Sequence, residues 1–133
     1  MRLVGIPSTE VDNVWTSVSN MIEKAIDYGT SRITALEVYK RIKAREYQLW
    51  TVVDDDGIRA VVVTEIVDAP KGRVASIFIC TGDGVDKWVN LLSEIEQWAK
   101  ENHCDTIEAF ARPGWKRMLP EYRARHIHLE RQL

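Results

Sequence analysis

Gly82 and Gly84, one residue apart in Thr81-Gly82-Asp83-Gly84, are the residues of this sequence best suited to hold an anion. Two such glycines let the backbone turn sharply and bring amide N–H groups close to a ligand. A helical stripe starts at once with Val85, so the free amides of a helix start and its dipole would point at the turn. The same glycines would also serve a plain tight turn, and the spacing leaves both readings open. Glu65, between Thr64 and Ile66, is a lone charge in an otherwise apolar strand. It either faces solvent on a one-sided strand or is kept for a purpose, since carboxylates are rarely buried without one. Cys80, His103, Cys104, His126 and His128 match no zinc spacing, and no metal is expected. No Ser-His-Asp order, paired CxxC or complete P-loop occurs, which leaves hydrolase, redox and nucleotide-triphosphatase chemistry without support.

The elements around the glycines must position them. Val74, Ala75, Ile77, Phe78, Ile79 and Cys80 form a nearly continuous apolar run, read as a strand buried on both faces and as the central one. Val85, Trp88, Val89, Leu92, Ile95 and Ala99 then recur at helical spacing, predicting one long amphipathic helix. Upstream, Arg2 to Ile6 reads as an edge strand closed by Pro7. Ser8 or Thr9 can cap a helix whose stripe runs from Val11 to Ile26, with Gly29 just past its end. Thr34 and Glu37 form a capping box for a short second helix ending near Arg45 or Glu46. From Tyr47 the period becomes two, and the acidic turn Asp54 to Gly57 leads into a strand over Ile58 to Val67. Three strands joined by tight turns make an antiparallel meander. Thr106 to Ala111 reads as a strand parallel to Arg73–Cys80, Trp115 to Tyr122 as a short irregular helix, and His126 to Leu133 as a final strand. The fold class expected is α+β, a mixed and largely antiparallel sheet with helices on both faces, in a single domain over 1–133.

The chain has 133 residues, 45% of them hydrophobic and 29% charged, in keeping with a soluble globular protein. A formal net charge of −2 argues against binding nucleic acid by whole-surface charge. From Arg112 onward, however, six basic residues face Glu121 and Glu130, a tail of about +4 that is either a solvated face or a seat for an anionic partner. Two cysteines, no signal-like start and no spanning segment lead to the expectation of a cytoplasmic protein, or one carried in a particle assembled there, with no membrane partner. Trp15, Trp88 and Trp98 lie on helix stripes, whereas Trp50 and Trp115 serve either the core or a binding surface.

The order of elements, with a glycine turn before the third helix, resembles the GCN5-related N-acetyltransferases (GNAT). In that family the fourth strand leads into a pyrophosphate-binding loop, of which Ile79-Cys80-Thr81-Gly82-Asp83-Gly84 keeps both glycines, with Ile79 in place of the leading basic or amide residue. Near the end, Trp115 stands where many members carry Asn, and Tyr122, seven residues later, falls on the position of a tyrosine that protonates the departing thiolate. The resemblance implies acetyl-CoA held by Phe78, Ile79, Cys80, Gly82, Gly84 and Val85, with Tyr122 as acid and Glu65 as base toward an amine acceptor. It further implies an acyl-CoA-dependent N-acyltransferase whose activity is weakened or lost. The alternative is a non-catalytic binding or assembly module with protein partners, since Gly114-Trp115, Leu119 and Tyr122 also resemble compact GNAT-like proteins of tailed phages, where it would be a virion component.

Overall fold

The computed structural model describes residues 1–29 and 32–133. The elements run β1 (Arg2–Ile6), α1 (Val11–Tyr28), α2 (Ala35–Lys43), β2 (Tyr47–Asp54), β3 (Gly57–Ala69), β4 (Gly72–Gly82), α3 (Val85–Trp88), α4 (Leu92–Glu101), β5 (Thr106–Ala109) and α5 (Trp115–Met118). They build an α+β architecture: one sheet in the order β1-β2-β3-β4-β5, antiparallel except for the parallel pair of β4 with β5. A helical crossover joins that pair, as parallel neighbours require. The middle strand is β3, not β4. Of these strands β3 carries the unbroken buried run, Ala60 to Thr64.

Helices cover both faces. Val11, Val18 and Ile22 of α1 and Val38 and Ile42 of α2 pack on Tyr47, Leu49, Val61, Val63 and Ile79. On the other face Trp88, Leu92 and Ile95 pack on Val52, Ala60, Val62 and Ile77. Period-two alternation along β2 and β3 is what sends neighbouring residues into different layers. The Thr34 hydroxyl accepts from the Glu37 amide at 3.1 Å and starts α2, which ends at Lys43, earlier than the stripe suggested. Ser8 and Thr9 do not cap α1; they lie in a 3₁₀ turn after Pro7, and the helix begins behind Glu10.

Two further expectations fail for physical reasons. The long helix is broken: a 3₁₀ turn at Val89–Leu91 separates α3 from α4. Trp88 is fully buried, its indole N–H donates to the Asp83 carbonyl at 2.9 Å, and its backbone is pulled to φ −129°. The apolar stripe still faces the sheet, because a 3₁₀ turn shifts the phase only locally. The final strand over His126 to Leu133 does not form either. Those residues are irregular, with Ile127 and Leu129 80% and 83% exposed. Alternation prepares a strand, but only a ladder partner makes one. Arg32 meets Glu130 at 3.3 Å, and Arg112 stacks on Tyr28 at 5.4 Å, so this tail side of the molecule reaches the α1–α2 end.

Candidate active site

The sheet comes apart where β4 passes Ile77. Val63 pairs with Ile79 and Thr64 with Ile77, so Phe78 is an extra residue in β4, a β-bulge. Its ring packs on Tyr47, centroids 4.6 Å apart, which fixes the bulge from the α1–α2 side. The last rung between β4 and β5 is at the same level: the Phe110 amide donates to the Ile77 carbonyl at 3.0 Å. From Phe78 to Gly82 no described residue of β5 pairs with β4. The parted strands form a cleft lined by Ile77, Cys80, Ala109 and Phe110, and closed on the α4 side by Leu92, Trp115 and Leu119. Trp115, packed near Trp88 at 6.1 Å, leaves a cavity of about 20 Å³, room for one water.

The loop beyond is shorter than the sequence suggested. β4 continues through Thr81 and Gly82, paired with Val61 and Ala60, so only Asp83 and Gly84 remain outside the elements. Gly82 is required by packing: a Cβ there would lie 2.5 Å from the Arg59 carbonyl oxygen and from the Ala60 Cβ, at φ +155°. Its close approach is to β3, not to the loop's open side. Gly84 is different. It takes the left-handed conformation at φ +65°, and the nearest atom to an added Cβ is Lys87 Cδ at 3.6 Å. Gly84 starts α3, and its carbonyl accepts from the Lys87 amide at 2.9 Å. Ile79 is a core residue of the α1–α2 layer, and Val85 is partly buried in the α4 layer.

Tyr122 lies beside the cleft, near enough for Cys80 to act on it. Its hydroxyl donates to Glu96 of α4 at 2.7 Å, and burial together with that bond raises its pKa. Burial pushes the Cys80 thiol up to about 12, so it is a neutral lining group and no nucleophile. Glu65 lies on the other face of the sheet. Burial raises its pKa, Arg41 opposes that, and Glu46 and Glu108 reinforce it. The structure thus brings Tyr122 near Cys80 on the α4 side and leaves the Phe78 ring and Glu65 on the α1–α2 side. Sequence reasoning missed Glu96, which reads as a solvent-face helix residue, and Glu108. Glu108 had a signal: like Glu65, it is a carboxylate within an apolar strand.

Solved structures share this fold over almost the full chain. An aminoglycoside acetyltransferase from an uncultured soil metagenomic sample, in complex with sisomicin, superposes with a TM-score of 0.71 at 10% identity, over 99% of this chain and 95% of that one. A ribosomal-protein-alanine N-acetyltransferase from Brucella melitensis gives 0.68 at 9% identity, covering 100% and 99%. A predicted acetyltransferase from Clostridium acetobutylicum, with acetyl-CoA, gives 0.67 at 12% identity, covering 99% and 94%. The fold is GNAT-like. At these identities the likeness is one of fold, and activity has to be argued from the site. No family model and no curated protein matches the sequence.

Within the GNAT-like fold, the chain's own groups fit a thioester of CoA. The β4 backbone without a β5 partner offers N–H groups to a carbonyl oxygen and to an extended amide chain. The Val85 and Asp86 amides after Gly84 lack intrahelical carbonyls and suit an anion, whereas the Lys87 amide is taken by the Gly84 carbonyl. Admission requires Trp115 and Leu119 to move out of the cleft, and both sit on a short element joined by irregular chain.

Proposed function

We propose that this protein is an acyl-CoA-dependent N-acyltransferase that uses acetyl-CoA and an amine acceptor. The observation that carries the reading is the parting of β4 from β5 at the Phe78 bulge, with a proton donor on one side and a carboxylate on the other. Acetyl-CoA would supply an activated acyl carbon, the C–N bond to the acceptor replacing the C–S bond to the thiol. Backbone amides from Phe78 to Cys80 orient the acyl oxygen, and Gly82, Gly84 and Val85 frame the anion end. Glu65 takes the proton that an ammonium must lose, and its raised pKa suits it as a base. Tyr122 holds a proton at its hydroxyl, shared with Glu96, for delivery to the departing sulfur.

A second reading is favoured by one observation: Trp115 and Leu119 fill the cleft, as they would in a binding module that does no chemistry. Calorimetry with acetyl-CoA and CoA separates the two, using the natural chain and Trp115→Ala. The transferase reading expects micromolar binding that tightens in the variant, because the indole no longer competes for the cleft. No heat at millimolar ligand, from either protein shown to be folded, would establish the module instead.

A further inference from the structure

We propose that the groove between the end of β1 and the end of α2 is a binding site for a small carboxylate with an apolar body. The groove lies at the β1 edge of the sheet, across all five strands from β5, so the site stands apart from the cleft and from the acyltransferase reading. Its volume is about 360 Å³, within the range of small-molecule sites. Ile6, Ile42 and Tyr47, which belong to the α1–α2 core layer, supply an apolar floor. Ser8, Thr9 and Arg45 supply the polar side of the lining.

The charge of that lining is one-sided. Arg45 is its cation, and no carboxylate lines it. Glu46 and Glu10, the acidic residues next along the chain, are engaged elsewhere, Glu46 with Arg41 at 3.8 Å and Glu10 with the Asn13 amide at 2.6 Å. Arg41, Arg59 and Arg73 each meet a carboxylate, whereas among the described residues none pairs with Arg45. Its Nε donates to Ser8 Oγ at 3.3 Å, and among the described residues its terminal nitrogens have no hydrogen-bond partner. Ser8 Oγ accepts that bond, so its own hydrogen stays free to donate. A planar guanidinium fork beside a hydroxyl matches the two oxygens of a carboxylate.

The backbone of Arg45 supports the same reading. Arg45 follows the C-cap of α2, its amide donating to the Ile42 carbonyl at 3.0 Å and the Glu46 amide to the Arg41 carbonyl at 2.9 Å. This closing turn takes the left-handed conformation, φ 65° at Arg45, which glycine adopts without strain. A side chain kept where glycine would be more stable points to a use for the guanidinium.

The test titrates phenylacetate, phenethyl alcohol and acetate into the whole chain up to about 10 mM, read by calorimetry and by backbone amide shifts. Phenylacetate should bind about fivefold more tightly than the alcohol, the scale of one well-formed ion pair at an exposed site, and should shift the Thr9, Arg45 and Gln48 amides. Acetate should bind more weakly, because it leaves the apolar floor uncovered. Arg45→Gly should bring phenylacetate down to the value of the alcohol with no loss of melting temperature, since glycine relieves the left-handed turn. Arg45→Lys, which keeps the charge without the fork, should restore part of the advantage. A fall of both affinity and melting temperature in Arg45→Gly would make Arg45 a structural tie to Ser8 and overturn the site. So would phenylacetate no tighter than the alcohol or acetate, an affinity unchanged in Arg45→Gly, shifts confined to the β4–β5 cleft, or no binding of any of the three.

Discussion

Glu65 and Tyr122 carry the proton chemistry proposed for this site, and each has a consequence measurable apart from turnover. Burial raises the Glu65 pKa above its ordinary value of 4.5. The native state therefore holds a proton more readily than the unfolded chain, and stability must fall as pH rises from about that value through the folded pKa. Glu65→Gln removes this cost. Its melting temperature should exceed that of the natural protein at pH 7, and the gap should close below about pH 4, where both forms of the carboxyl are protonated. A gap independent of pH would mean that Glu65 is solvated. The same variant should slow transfer by about 10²-fold or more at neutral pH, the usual scale for removing a general base. Tyr122→Phe removes the proton held against Glu96, so kcat should drop by about 10²-fold while folding stability falls by only about 1 kcal/mol. A variant with full kcat would make Tyr122 a packing residue.

At the scale of the element, β4 and the loop behind it divide the work of the two glycines. Gly82 ends a paired strand against Ala60, and Gly84 makes the left-handed turn into α3. Gly82→Ala must push against the Arg59 carbonyl, backbone that has little room to yield, and should cost about 1–3 kcal/mol in urea unfolding. Gly84→Ala meets only ordinary contacts and should cost about 1 kcal/mol, the penalty of a left-handed conformation for a side chain. Equal costs would contradict the packing role of Gly82. The break between α3 and α4 has the same local origin, one buried Trp88 whose indole must reach the Asp83 carbonyl. A hydrophobic stripe reports which face is buried and is silent on a single hydrogen bond that bends the backbone.

For the molecule as a whole, two helical layers on one sheet account for the core, and the segment after Tyr122 adds little to it. Removing residues 123–133 loses exposed apolar groups and, among the described residues, one exposed ion pair with the rest of the chain, so unfolding free energy should shift by no more than about 1 kcal/mol. A larger loss would show that the tail packs where it is now exposed. The mixed α+β class, the edge position of β1, the meander, the parallel crossover and both helix faces were legible in the sequence, since each is written in apolar period, capping residues and connection length. Glu65 and the glycine pair were legible as oddities of type and spacing. What the sequence could not carry is set by partners distant along the chain. Only the tertiary fold brings Arg45 to Ser8, and only the bulge at Phe78 opens β4 from β5. The alternating tail stays irregular for the same reason. Periodicity fixes which side of an element is buried, but the neighbour that completes its hydrogen bonds is chosen in three dimensions.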